Sequence, residues 1–154
     1  MSDFERLAYD TALRALDKQE RLLEELRSRT GVLLAASSLA ASFLGRGAFE
    51  GPGAPGVAIL ALLAFVVSIA ASVYVLLPKR ALIFSQSGPG LYEGLYAERA
   101  DLAEVHRRLA YELFRFWESN DRKVRNLSRA FTLGAIALVV EIVLLVALVS
   151  GTLV

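Results

Sequence analysis

Apolar and small residues in this chain are gathered into three stretches with almost no charge, residues 31–44, 57–77 and 131–149, which polar segments separate. The second and third stretches contain 21 and 19 residues. Since about 20 helical residues cross a hydrocarbon core about 30 Å thick, both are predicted to be transmembrane helices. The first stretch reaches a similar length if it continues to residue 49, because Arg46 near its end can extend its guanidinium to the headgroups. The pattern therefore predicts three spans, over about 30–49, 57–77 and 130–150.

The two polar segments, residues 1–29 and 78–129, are predicted to be largely helical. Residues 3–29 contain no glycine or proline, and leucines recur along one side of the helix they would form, at Leu13, Leu16, Leu23 and Leu26. Residues 91–129 repeat this spacing, and the pattern continues without interruption into the third span. A helix of this length needs a partner along its apolar side, and the candidates are the N-terminal helix and a neighbouring copy of the chain.

The distribution of positive charge predicts the topology. Of the 17 lysines and arginines, six lie in residues 1–29, ten lie in residues 79–129, and only Arg46 lies in the loop predicted at 45–56. The positive-inside rule places the N-terminus and the segment 78–129 in the cytoplasm, and the loop and the tail 151–154 outside. No cleavable signal is expected, because a polar segment precedes the first apolar stretch. The sequence thus predicts an all-α, multi-pass protein: an N-terminal transmembrane hairpin, long cytoplasmic helices and a C-terminal span.

Composition excludes several function classes. The chain is 55% hydrophobic and 21% charged, and it contains no cysteine and one histidine, His106. Disulfides, thiolate metal sites and a Ser-His-Asp triad are therefore not expected, and no enzyme activity, cofactor or metal is predicted. A basic run beside the third span, Arg122, Lys123, Arg125 and Arg129, is predicted to contact anionic lipid headgroups rather than nucleic acid.

Glu141 interrupts the third apolar stretch near its centre. An ionisable residue there costs roughly 2.5–3.5 kcal/mol, whereas each large aliphatic residue or Phe returns about 0.3–0.6 kcal/mol. Thirteen Leu, Ile, Val and Phe residues lie in residues 131–149, so the span is still expected to insert. The carboxyl group should face other helices or water rather than lipid, and where it is dry the neutral acid is the expected form.

Depth along the predicted helices selects the partners of Glu141. At 1.5 Å per residue it lies about 16 Å from the cytoplasmic end of its span, while Ser38, Ser42 and Ser68 lie at roughly 12, 19 and 14 Å. Small residues surround these serines and favour close helix packing. Two interpretations follow: Glu141 hydrogen-bonds one of these serines and holds a three-helix bundle together, or it forms a ring of carboxylates in an oligomeric pore or a proton-responsive gate.

A second candidate site lies where the cytoplasmic segment begins. Lys79 and Arg80 precede a predicted helix start at Ser87 and Gly88, and a helix N-terminus beside two cations can bind an anion such as a nucleotide phosphate. The alternative is a helix cap with two cations that contact headgroups. The segment "SGPG" lacks the Lys-Ser/Thr ending of a phosphate-binding loop.

The layout of the chain resembles a known group of proteins. Its N-terminal "DKQERLLEELRSRTGVLLAASSLAASFLG", the "LLPKR" at the end of the second span and "LYEGLYAERADLAEVHRRLAYELFRFWESNDRKVRNLSRAF" before the last apolar helix are similar to actinobacterial membrane proteins related to the SLATT and Pycsar transmembrane-effector families. The resemblance covers nearly the whole chain. It implies a homo-oligomer that damages or depolarises the host membrane in antiphage defence. It also implies a trigger, a nucleotide second messenger or a cytoplasmic sensor protein.

The function expected from these observations is membrane permeabilisation by a self-associating protein of the bacterial inner membrane. The alternative is a membrane-anchored scaffold, whose cytoplasmic helices recruit a partner and whose spans serve only as anchors.

Overall fold

A computed structural model describes residues 2–50, 55–78, 82 and 101–150, and the side chains of residues 2, 3 and 43–50 lie outside that description. The described part of the chain forms three helices, α1 (Ser2–Glu50), α2 (Pro55–Leu76) and α3 (Leu102–Val149). Helix accounts for 96% of these residues. The prediction of an all-helical protein is confirmed.

Helix α1 is longer than the predicted N-terminal segment because it joins that segment to the first apolar stretch. The loop predicted at 45–56 has the wrong bounds, since α1 continues to Glu50 and α2 begins at Pro55. A glycine inside a helix costs about 1 kcal/mol, which is too little to end a helix of this length at Gly45 or Gly47. Proline suits the first position of α2, where its missing N–H would have no helical partner.

Helix α3 runs through both the polar segment and the third apolar stretch, as the uninterrupted pattern predicts. Its first turn is closed by the Val105 N–H, which donates to the Asp101 carbonyl at 3.0 Å, and by the Leu102 N–H, which donates to the Asp101 carboxylate at 2.8 Å. A carboxylate at a helix N-terminus satisfies an orphan donor and complements the helix dipole. Residues 91–100, which the sequence assigned to the same helix, lie outside the described residues.

Two of the described helices are long and apolar enough to cross a membrane: α2 and, within α3, its apolar C-terminal part. Only 28% of the apolar window in each is buried, so most of these side chains face outwards. A core helix of a water-soluble protein would instead be mostly buried. Helix α1 is not among the helices that meet the same criterion over the described residues. By length and composition alone, two of the three predicted spans are thus able to cross a membrane.

The chain divides into two compact units. Unit 1 comprises Met1–Glu24 and Lys79–Arg125, and unit 2 comprises Glu25–Pro78 and Asn126–Val154. In unit 1, the Tyr9 and His106 rings lie 5.5 Å apart, and the Gln19 side-chain amide donates to the Trp117 carbonyl at 3.1 Å. From the first contact to the second, the residue numbers increase along both helices, so α1 and α3 are parallel in unit 1. Their buried contact residues include Leu16, Leu23, Leu109 and Leu113.

Three helical segments pack together in unit 2. Gly134 of α3 marks the closest approach, because a Cβ atom at that position would lie 3.2 Å from the Ala71 Cβ in α2 and 3.5 Å from a Leu33 methyl group in α1. Further along α3, Leu145 and Leu148 pack in one buried cluster with Ala58 and Ala61. Helices α2 and α3 are therefore antiparallel in this unit.

Buried positions recur every seven residues along both long helices. In α1 they include Leu16, Leu23, Thr30 and Ser37, and in α3 they include Leu113, Asn120, Leu127, Gly134, Glu141 and Leu148. A seven-residue repeat keeps one side of a helix facing a neighbour, as in coiled coils. Glu141 therefore occupies a regular packing position and is not an isolated insertion.

We expect Gly134→Leu to destabilise the protein, because the new side chain has no room beside Ala71 and Leu33. Overpacking of this kind costs about 1–3 kcal/mol. Gly31→Leu is the matched control, since no atom lies within 4 Å of a Cβ added there; it should be neutral or stabilise the helix by up to about 1 kcal/mol, because leucine has a higher helix propensity than glycine. Thermal unfolding of the detergent-purified variants measures both. Equal losses in the two variants would contradict the close packing of Gly134.

Candidate functional site

The centre of unit 2 contains a buried hydrogen bond between two helices. The Ser37 hydroxyl of α1 donates to Oε2 of Glu141 of α3, with the oxygens 2.8 Å apart. Both residues have an exposed fraction of 0%. The sequence-based expectation that Glu141 faces other helices rather than lipid agrees with this geometry.

The second carboxyl oxygen of Glu141 is in a different situation. Oε1 is buried and has no hydrogen-bond partner among the described residues. A buried polar atom without a partner costs roughly 1–3 kcal/mol, so such atoms are rare in native structures. The two carboxyl oxygens of Glu141 therefore differ. Oε2 accepts a hydrogen bond from the Ser37 hydroxyl, and Oε1 is buried without a partner among the described residues.

Charged groups are absent from the segments that pack around Glu141 in the described part of unit 2. Residues 31–42 of α1 and all of α2 contain no Asp, Glu, Lys, Arg or His, and residues 130–150 of α3 contain only Glu141. A salt bridge within this packing is thus excluded for the described residues. The hydroxyl of Ser37 supplies the polar contact in its place.

Ser38 and Ser42, the two α1 serines that depth along the helix selected, do not reach Glu141. Both are exposed, and each hydroxyl donates to a carbonyl of its own helix: Ser38 to Leu34 at 2.9 Å and Ser42 to Ser38 at 2.8 Å. Successive residues of an α-helix point about 100° apart, because 3.6 residues make one turn. Depth alone therefore could not distinguish Ser38 from Ser37.

Ser68, the third serine selected by depth, is buried at a different level of unit 2. A Cβ atom built at Gly134 would lie 3.6 Å from the Ser68 carbonyl, and Gly134 precedes Glu141 by seven residues, or about 10 Å of helix. The same carbonyl accepts a hydrogen bond from the Ser72 hydroxyl at 2.8 Å, while the Ser68 hydroxyl has no partner among the described residues. Ser68 therefore packs α2 against α3 and does not share the Glu141 contact.

Ser37 is the functional candidate that sequence reasoning missed. The signal that finds it is the seven-residue spacing, since Ser37 follows Leu16, Leu23 and Thr30 at that interval. On α3, the same interval connects Leu113 and Leu127 with Glu141. The predicted anion site falls on Lys79, Arg80, Ser87 and Gly88, which lie outside the described residues.

Unit 1 carries an open apolar groove of about 790 Å³. One wall comes from α1 and includes Phe4 and Leu7, and the other comes from α3 and includes Tyr111, Phe114 and Trp117. The Phe114 and Trp117 rings are stacked with their centroids 5.7 Å apart, yet Phe114 is 54% and Tyr111 69% exposed. The aromatic cluster thus packs only in part against its own unit.

Ion pairs cover the polar surface of α3 in unit 1. Glu104 accepts hydrogen bonds from Arg107 at 3.0 Å and Arg108 at 2.9 Å, and these two hydrogen bonds lower the pKa of the Glu104 carboxyl. Arg125 pairs with Asp121 at 2.7 Å. Water and salt screen exposed pairs of this kind, so they solubilise this surface more than they stabilise it. No group of three or more metal-ligating side chains occurs among the described residues.

Comparisons of this chain with protein-family models, with curated proteins and with solved structures find no match.

We expect Ser37→Ala to destabilise unit 2, because it removes the hydrogen bond to Glu141 and leaves both carboxyl oxygens without a partner. Hydrogen bonds between membrane helices contribute about 0.6 kcal/mol on average and up to about 1.7 kcal/mol. Ser38→Ala is the adjacent control, since that exposed hydroxyl bonds only its own helix, and a change within about 0.5 kcal/mol is expected. Thermal unfolding in detergent gives both values. A larger loss in Ser38→Ala than in Ser37→Ala would contradict the assignment.

Proposed function

We propose that this chain is a self-associating, multi-pass protein of the bacterial inner membrane that permeabilises or depolarises the membrane when its helices separate. The observation that carries the proposal is a fully buried carboxyl group that one hydroxyl holds inside an apolar helix packing. A purely structural anchor has no need for an acid at that position, whereas an ion path requires polar groups at membrane depth.

The proposal includes a third transmembrane span formed by the C-terminal part of α1. Glu141 lies near the centre of the apolar part of α3, and Ser37 lies within hydrogen-bond distance of it. If this part of α3 crosses the bilayer, Ser37 lies at the same depth. A lipid-embedded polypeptide must satisfy its backbone within helices, so α1 is expected to continue across the bilayer rather than end at midplane. This argument supports spans over about 30–49, 57–77 and 130–150.

The orientation in the proposal follows from charge. Ten of the 17 lysines and arginines lie in residues 79–129 and six lie in residues 1–29, which favours a cytoplasmic N-terminus and a cytoplasmic central segment. The C-terminal tail is then external. Anionic headgroups are the expected contacts of the basic run that includes Arg122 and Lys123.

Glu141 is covered by its own subunit in the structure, so a pore lined by this residue requires α1 to move away from α3. Several copies would then present their carboxyl groups to a shared path.

The resemblance to SLATT and Pycsar effectors supports a defence role in which a nucleotide second messenger or a sensor protein triggers this opening. Lys79 and Arg80, with Ser87 and Gly88, are the proposed contacts for such an anion. The proposal assigns the chain no catalytic step and no cofactor.

Induced expression is expected to collapse the membrane potential of the host cell, and Glu141→Gln to weaken that collapse, since the amide has nearly the same shape but cannot ionise. Glu118→Gln is the matched control, because it makes the same substitution at an exposed residue of unit 1. A potential-sensitive dye reports each variant, with membrane levels equalised by immunoblot. Wild-type protein at full expression that causes no loss of potential in either uninfected or phage-infected cells would contradict permeabilisation.

A second candidate function is a membrane-anchored scaffold, and the groove of unit 1 favours it. Exposed aromatic side chains beside an apolar groove are typical of sites that receive an apolar helix face. In this function the spans serve as anchors, and unit 1 recruits a cytoplasmic partner.

If the scaffold function is correct, replacing Tyr111 and Phe114 with serine should abolish co-purification of a partner, with little change in stability, because both side chains are exposed. Leu102→Ser is the control, since Leu102 is equally exposed but does not line the groove. Affinity purification with quantitative mass spectrometry compares the variants. Retention of the same partners by the double variant would contradict recruitment through this groove.

A further inference from the structure

The two oxygens of the Glu141 carboxyl group differ in a way that identifies a ligand. Oε2 accepts a hydrogen bond from Ser37, and Oε1 is buried without a partner among the described residues. A carboxylate accepts hydrogen bonds at both oxygens, whereas a protonated carboxyl group carries a hydrogen on one oxygen and accepts at the other. A protonated carboxyl group that accepts from Ser37 at Oε2 carries its hydrogen on Oε1, and in that form no charge is buried in the apolar packing.

We propose that Glu141 is a proton-binding site, and that loss of its proton releases α1 from α3. The inference deepens the proposed function and rests on its placement of unit 2 in the membrane. The ligand is the proton itself, and Ser37 is the positioning residue that holds the carboxyl group in the helix packing. In the reaction, the Oε1–H bond breaks, its electron pair stays on the carboxylate, and the proton passes to water that enters between the helices.

The charged groups around the site support a neutral resting state. On α1, residues 31–42 carry no charge; Arg29 lies eight residues before Ser37 and is paired with Glu25 at 2.5 Å. Arg46 lies nine residues after Ser37, and its side chain is outside the described part. Tyr74 is the titratable residue of α2, and the nearest charge on α3 is Arg129, twelve residues or about 18 Å away. An anion at Glu141 would thus have no adjacent cation.

Helix separation follows from the energetics of an unpaired buried charge. A carboxylate without a partner in an apolar environment is strongly disfavoured, so it either regains a proton or gains water. Glu141 and Ser37 are both fully covered, so water reaches the carboxyl group only if the helices around it move, and opening of the α1–α3 contact would expose it. Proton loss and helix separation are therefore coupled, and each promotes the other.

Infrared difference spectroscopy of the full chain in liposomes of anionic and zwitterionic lipid tests the proton site directly. A protonated carboxyl group has a C=O stretching band that a carboxylate lacks. We expect this band at neutral pH in wild-type protein and in Glu118→Gln, and its loss in Glu141→Gln. A spectrum without a Glu141-dependent band at neutral pH would overturn the proposal.

Distance measurements test the coupling. Because the chain has no cysteine, Leu39→Cys and Val143→Cys provide unique spin-label sites on exposed positions of α1 and α3 in unit 2. We expect the distance between the labels to lengthen or broaden as the pH rises in the otherwise wild-type chain, and to stay constant when Glu141→Gln is added. A distance that does not depend on pH, or that changes equally in both proteins, would refute the coupled release.

These readouts separate the inference from the proposed function. The infrared band and the label distances report on purified protein, whereas the potential-sensitive dye reports on cells. A Glu141-dependent band with pH-dependent distances but no depolarisation would support the proton site and reject permeabilisation. Depolarisation without the band would reject the proton site and leave permeabilisation standing.

Discussion

The hydrogen bond between Ser37 and Glu141 is the contact on which unit 2 of this protein depends. A carboxyl group at the centre of an apolar helix is tolerated only if neighbouring helices cover it and a polar group contacts it. Ser37 does both, because it brings α1 against α3 and supplies the hydroxyl that Oε2 accepts. The contact therefore sets three things at once: which side of α3 faces inwards, which turn of α1 lies beside it, and the depth of both.

Packing around this contact follows from small side chains. Gly134, Ala71 and Ser68 let α2 and α3 approach closely one level away from Glu141, and Ala58 and Ala61 do so on its other side. In a bilayer, a leucine side chain gains little free energy when it exchanges lipid contacts for contacts with another helix. Helices therefore associate mainly where their backbones can approach closely. The small residues bring α2 close to α3, and the hydroxyl of Ser37 supplies the polar contact for the acid.

The fold was largely predictable from the sequence, whereas the site was predictable only in part. The absence of prolines between residues 3 and 29 and the uninterrupted pattern of α3 indicated long helices, and length with composition indicated the apolar character of α2 and of the C-terminal part of α3. The burial of Glu141 followed from the cost of an acid in lipid. Its partner did not follow, because depth leaves the angle around α1 undetermined and Ser37 and Ser38 differ by about 100°. The seven-residue interval supplies that angle.

The same seven-residue interval describes how α1 and α3 pack in both units, although the outward sides of the two units differ. In both units, buried positions of α1 and α3 recur every seven residues; in unit 1 most are leucines, and in unit 2 they include small or polar residues such as Thr30, Ser37 and Gly134. The outward sides differ. In unit 1 they carry charged pairs such as Glu104 with Arg108, whereas in unit 2 they carry exposed Ile, Leu and Val. The inner contacts thus determine which helices pair, and the outward residues determine the surroundings. A polar residue on the inner side of unit 1 can exchange a lost hydrogen bond for water. At Glu141, water cannot replace a lost hydrogen bond while the helices stay packed. Loss of its contact with Ser37 therefore requires the helices to separate.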